Sequence, residues 1–198
     1  MSNILEQIIQ LDQQVTLWIN NLATSSTDAF WLLLSDNEIW FPAYAIFMLF
    51  VLWRLGWKKG GIVVLSLVLT IVLVDQGSNL IKYSAGRLRP CYNNWMIENG
   101  LRLPYGLLST GRFGFFSAHA GNTFGFAFVS SLGLRLNDEK NSYNAYTWSV
   151  FIWATLVSLS RIMMGAHFLG DILVGAMIGS TVGLLLAFGA HRLVLKVK

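Results

Sequence analysis

The sequence has one cysteine, Cys91, and three prolines among 198 residues. A single thiol excludes an intramolecular disulfide and any multi-cysteine zinc or iron–sulfur centre. Charge is scarce as well. Asp, Glu, Lys and Arg make up 12% of the chain, where a soluble domain carries about a quarter. Hydrophobic residues make up 55%, a surplus that a chain this short cannot hide in its own core. An ordinary soluble enzyme and a disordered chain are therefore excluded. The net charge of +4 is spread over the ends of apolar segments rather than gathered in a basic block, which argues against nucleic acid as a partner. The opening MSNILEQIIQLDQQ has neither a basic nor an adjoining apolar stretch, so no cleaved signal peptide is expected.

What is abundant is apolar sequence in long runs, with a mean hydropathy of +0.55. Five spanning helices are expected, over residues 39–53, 61–81, 118–136, 143–159 and 168–191, since about 20 residues cross a hydrocarbon core. A further short piece over 29–34 would be interfacial or re-entrant; counted as a span, it makes six. Residues 4–22 space Ile4, Ile8, Leu11, Val15 and Trp18 as an amphipathic helix. That helix suits a membrane interface or, equally, the surface of the bundle. The expected fold is all-α: a polytopic membrane helix bundle over residues 1–198, with an N-terminal interfacial region over 1–38 and a catalytic core over 60–185. Gly175, Gly179 and Gly183 recur at every fourth residue, a close-packing helix face within the chain or, alternatively, in a homodimer.

Lys and Arg fix the expected orientation. Residues 1–38 contain neither, while Arg54, Lys58, Lys59, Arg135, Lys140, Arg192, Lys196 and Lys198 fall on the opposite side. The positive-inside rule then places the N-terminus outside and the C-terminus in the cytoplasm. Lys82, Arg87, Arg89, Arg102, Arg112 and Arg161 remain on the outer side against that rule, a sign that they serve something else.

Three polar clusters lie on that side. The second span ends DQGSNLIKYSAGRLRP, where Asp75, Asn79 and Lys82 share one helix face. Asp75 supports neighbouring polar groups or acts in the chemistry. Lys82 and Arg89 are snorkelling anchors or a phosphate clamp. The third span opens RFGFFSAHAGNTFG, putting Ser117 and His119 where free helix amides attract an anion; Ser117 serves equally as an N-cap. The fourth and fifth spans are joined by SRIMMGAHFLGD, with His167 and Asp171 at i and i+4, a spacing that lets the carboxylate orient the imidazole. Lys82, Arg89, Ser117, His119, Arg161, His167 and Asp171 all fall at one membrane face and form a phosphoryl-transfer set.

At these residues the chain resembles the type 2 phosphatidic acid phosphatase family, whose superfamily includes the vanadium-dependent haloperoxidases. The first family motif, Lys, six residues, Arg-Pro, resembles Lys82, Arg89 and Pro90. The second, Pro-Ser-Gly-His, resembles Phe116, Ser117, Ala118 and His119, with Phe and Ala in place of Pro and Gly. The third resembles Ser160, Arg161, His167 and Asp171.

The resemblance implies a membrane lipid phosphatase working through a phosphohistidine. His167 would attack phosphorus, Asp171 would orient it, and His119 would protonate the leaving oxygen. Lys82, Arg89, Arg161 and Ser117 would hold the phosphoryl oxygens, with Asp75, Asn79, Pro90 and Ser160 as structural support. It implies no metal and no cofactor, because cationic side chains neutralise the charge. The partner is an amphiphilic lipid within the membrane. Undecaprenyl diphosphate, the carrier lipid of cell-wall assembly, is the first expectation, at the outer face of a bacterial inner membrane. Phosphatidate, phosphatidylglycerophosphate or a broad phospholipid range is the alternative. A non-catalytic lipid-phosphate binder or transporter is a third reading, which would not need both histidines.

Overall fold

The computed structural model describes residues 2–106 and 111–197. The chain is all-α. The helices are α1 (Ser2–Asn20), α2 (Asp28–Ser35), α3 (Asn37–Ala85), a short 3-10 turn (Pro90–Tyr92), α4 (Asn94–Glu98), α5 (Ala118–Asn137), α6 (Asn144–Met163) and α7 (Leu169–Val194).

The expectation of five or six spans is overturned. Among the described residues two helices are long and apolar enough to cross a membrane, Asn37–Ala85 and Leu169–Val194. The expected first and second spans belong to one element, α3, broken at Gly56, whose φ of 76° and ψ of 164° no helix accommodates. Glycine takes that conformation without a Cβ clash, and the chain folds back so that Gly60 packs on the Val51 carbonyl. The expected third and fourth spans form as α5 and α6 but fall short in apolarity. α5 carries His119, Asn122, Arg135 and Asn137 among small residues, and its buried side is mostly Ala, Gly, Ser and Thr. α6 carries Thr147, three serines and Arg161. The piece expected over 29–34 is α2, an eight-residue helix packed on α6.

α1 packs against α6 and α7. Its polar residues Asp12, Thr16 and Asn20, four apart, face the bundle, while Ile4, Leu5, Ile8, Leu11 and Trp18 are exposed. The polar stripe works as a set of caps. Asp12 Oδ1 accepts from the Gly170 N–H at 2.9 Å, and Thr16 Oγ1 from the Leu169 N–H at 2.9 Å. Asn20 Nδ2 donates to the Ile162 and Met163 carbonyls at 2.9 and 3.1 Å. One short helix thus satisfies the amides that begin α7 and the carbonyls that end α6, groups a helix cannot pair within itself.

The glycine stripe of α7 packs within the chain. A Cβ on Gly175 would lie 2.4 Å from the Ser117 carbonyl oxygen, on Gly179 1.9 Å from that of Gly121, and on Gly183 2.7 Å from that of Gly125. Only glycine permits this approach of two backbones. α5 therefore occupies the face that could otherwise have served a dimer. A second core lies farther along α5, where Tyr44, Phe47, Phe126 and Trp153 pack largely edge-to-face.

Candidate active site

α5 and α7 run side by side from the same end, and the close glycine packing fixes their relative height. The Ser117 N–H donates to the Asp171 carbonyl at 3.0 Å, tying the two helix starts together. α6 ends at that level, and its chain returns through a turn in which the Ala166 and His167 N–H groups donate to the Arg161 carbonyl at 2.9 and 3.2 Å. An antiparallel bridge between Leu88 and Phe113 brings the segment after α3 to the same place. Its flanking bonds run from the Arg89 N–H to the Arg112 carbonyl and from the Gly114 N–H to the Arg87 carbonyl, both at 2.9 Å.

The result is a cavity of about 560 Å³ whose lining includes Asp75, Lys82, Arg89, His119, Arg161 and His167. Its remaining wall is mostly apolar, with Phe41, Tyr44, Ala45, Met48 and Ile71 from both arms of α3. Residues up to 130 positions apart in sequence, Asn37 and His167, are thus joined at one end of the bundle.

His167 is buried. Its Nδ1 lies 3.5 Å from Asp171 Oδ2, just outside hydrogen-bond range. Its Nε2 receives Arg89 Nη1 at 3.1 Å, and the same Nη1 donates to the Ala166 carbonyl at 3.1 Å. Arg89 cannot give up a proton, so Nε2 presents a lone pair and the ring proton sits on Nδ1, toward the carboxylate. Burial, then the Arg89, Arg161 and Lys82 cations, push the imidazole well below its ordinary range. His167 is therefore neutral at neutral pH.

Asp171 is fully buried and sits in the first turn of α7, where its Oδ2 accepts from the Phe168 N–H at 3.0 Å. Its Oδ1 accepts from Arg87 Nη1 at 2.7 Å. Arg161 Nη1 is held by the Ser35 carbonyl at 3.2 Å and by the Ser35 hydroxyl. α2 thereby aims a cation of α6, and is itself held by Asp28, which receives both terminal nitrogens of Arg102 at 3.1–3.2 Å. Arg89 Nε, Arg161 Nε and His119 Nε2 are buried and meet no partner among the described residues.

Of the two readings left open for Ser117, the structure shows the N-cap, and Asn79 does not line the cavity. Ser117 is fully buried and caps α5, its Oγ accepting from the Ala120 N–H at 3.4 Å, while Ala118 and His119 line the cavity. Asn79 is exposed, and Asp75 faces the cavity without it. Pro90 and Ser160 are buried behind the site, Ser160 Oγ donating to the Val157 carbonyl at 2.6 Å. Arg87, Asp12, Ser35 and Gly114 were not singled out as site residues by sequence reasoning. The one signal was Arg87, an outer-side cation breaking the positive-inside pattern.

Residues 59–194 match the PAP2 superfamily. The chain belongs to that superfamily. The PAP2 chain is 33% identical over 193 residues to a lipid A 4'-phosphatase of Bacteroides thetaiotaomicron, covering 96% of itself and 81% of that relative. It is 28% identical over 180 residues to a lipid A 4'-phosphatase of Porphyromonas gingivalis, covering 90% and 72%. Its fold matches a transmembrane PAP2 type phosphatidylglycerolphosphate phosphatase from Bacillus subtilis, with a TM-score of 0.66 and 20% identity over 97% of this chain and 88% of that one. It also matches the LpxE protein of Aquifex aeolicus, with a TM-score of 0.62 and 22% identity over 87% and 92%. The protein is a PAP2-type lipid phosphatase, a membrane hydrolase.

Proposed function

We propose that this PAP2 centre removes a phosphate monoester from a membrane lipid, the 4'-phosphate of lipid A being the first candidate, through a phosphohistidine at His167. The observation that carries the reading is the two-sided cavity. One end gathers Lys82, Arg89, Arg161 and two histidines, and the other wall is aromatic and aliphatic. A phosphate fits the first and acyl chains fit the second.

In the first step the Nε2 lone pair of His167 attacks phosphorus, the P–O bond to the lipid breaks, and His119 gives its proton to the departing oxygen. Asp171 stabilises the imidazolium that forms. In the second step His119 takes a proton from water, the water oxygen bonds to phosphorus, and the P–N bond breaks to release phosphate. Lys82, Arg89, Arg161 and the first amides of α5 hold the phosphoryl oxygens, so charge is met by groups already in place. Arg89 leaves Nε2 for the substrate as the phosphate arrives. Ser117 serves this site by capping α5.

The names of the two curated relatives favour lipid A over the undecaprenyl diphosphate expected from sequence. The basic residues Arg54, Lys58, Arg135, Lys140 and Arg192 lie toward the opposite end of the bundle, so the positive-inside rule turns the active end outward from a bacterial inner membrane, with the C-terminus in the cytoplasm.

The test is phosphate release in detergent, with chelator present, from lipid A, phosphatidylglycerophosphate, phosphatidate and undecaprenyl diphosphate, by wild type and His167→Ala. Release from lipid A at the highest kcat/KM, lost in the variant, supports the reading. A preference for undecaprenyl diphosphate would overturn the substrate, and an active variant would overturn the nucleophile.

A further inference from the structure

The carboxylate of Asp171 is held by more than its own helix. Arg87 Nη1 reaches its Oδ1 at 2.7 Å, while Arg87 Nη2 pairs with Asp12 Oδ2 of α1. The guanidinium lies over the Phe168 ring, 4.4 Å from its centroid. Asp12 is fixed in turn by the Gly170 N–H at 2.9 Å. We infer that Arg87 and Asp12 are positioning residues for the reaction, and that the chain Asp12–Arg87–Asp171–His167 sets the imidazole for attack.

The inference rests on the proposed role of His167. A planar guanidinium bridging two carboxylates and stacked on a ring has no rotational freedom left. It therefore holds Oδ1 of Asp171 in place, and Oδ2 can face only the Phe168 N–H and the His167 ring. Asp171 is fully buried, so this cation also keeps a carboxylate charge tolerable where water cannot. A small rotation of the carboxylate would lengthen an Nδ1–Oδ2 separation already at 3.5 Å. Misplacement on the ångström scale costs about 100-fold in rate. α1 thereby belongs to the catalytic scaffold, although it contributes no group to the cavity.

The experiment measures kcat and KM for Arg87→Gln, Arg87→Lys, Asp12→Asn and the Asp12→Asn/Arg87→Gln pair, on wild-type and Asp171→Asn backgrounds, with His167→Ala alongside. Thermal unfolding in detergent reports whether each variant is folded. Arg87→Gln should lower kcat about 10- to 100-fold with KM changed less than about twofold. Arg87→Lys should not rescue it, because an ammonium cannot bridge both carboxylates in a fixed plane. Asp12→Asn should give a smaller loss, the pair should match Arg87→Gln alone, and on the Asp171→Asn background Arg87→Gln should add almost nothing.

A folded Arg87→Gln protein with wild-type kcat overturns the inference. So do losses that add independently of Asp171. Should Arg87→Gln not fold, Asp12→Asn decides by the same kcat criterion. An active His167→Ala protein would instead remove the reading beneath, and the inference with it.

Discussion

Arg89 Nη1 sits 3.1 Å from Nε2 of His167. A cation on the lone pair of the proposed nucleophile looks self-defeating until the phosphate is considered. The same donor that occupies Nε2 in the free enzyme is placed to follow an incoming phosphoryl oxygen, leaving the lone pair facing phosphorus. On the proposed mechanism, Arg89 guards the nucleophile against protonation and then binds the group it attacks.

That arrangement sets the pH behaviour. Burial first, then Arg89, lower the His167 pKa, so as pH falls through the ordinary histidine range of about 6.5 the imidazole remains neutral and nucleophilic. The acid limb of kcat/KM assigned to His167 should lie well below that value. Arg89→Gln removes a cation and should move the limb upward. A profile against a substrate of known ionisation checks both; a wild-type limb at the ordinary histidine position would contradict the assignment.

Gly114 lies against the site. A Cβ there would stand 3.1 Å from Asp171 Oδ2 and 3.1 Å from Arg89 Cγ. Gly114→Ala should push the carboxylate away from His167, lowering kcat by roughly tenfold with little loss of folding. Steady-state kinetics beside a thermal unfolding curve separates the two effects.

Gly179 belongs to stability rather than chemistry. A Cβ would come within 1.9 Å of the Gly121 carbonyl oxygen, a backbone atom that cannot swing aside. Gly179→Ala should force α5 and α7 apart and cost about 1–3 kcal/mol or more. Thermal unfolding in detergent would show it, and Gly189→Ala, with open space around its Cβ, should be near neutral.

The apolar wall predicts a split between substrates. Met48 lines the cavity beside Phe41 and Tyr44. Met48→Ser should raise KM for a lipid phosphate about tenfold, the equivalent of roughly 1.4 kcal/mol of lost burial. A water-soluble phosphate ester, which has no chain to place there, should be unaffected. Equal losses for both would assign Met48 to folding instead.

The lipid-phosphatase class was legible in the sequence because its motifs are written in residue types at local spacings. Lys82 with Arg89, Ser117 with His119, and Arg161 with His167 and Asp171 each occupy one short stretch, and the alternation of apolar runs brings those stretches to one end. The number of membrane-crossing helices was misjudged. Helix length was readable in α5 and α6, but their Ser, Gly, Thr and Arg content suits packing against protein rather than lipid. The partners of the polar face of α1 were not readable either, since amphipathicity indicates which face is apolar and not what lies opposite it.

By itself the sequence determined the kind of reaction and the groups available for it, because phosphate capture and nucleophilic attack demand particular side chains wherever they stand. Only the tertiary structure decided which groups support them. Asp12 meets Gly170 across 158 residues and Arg87 across 75, and Arg161 meets Ser35 across 126. These partnerships depend on the height at which α5 and α7 lock through their glycines and on where α1 comes to rest. Such contacts are set by packing in three dimensions, and no local spacing encodes them.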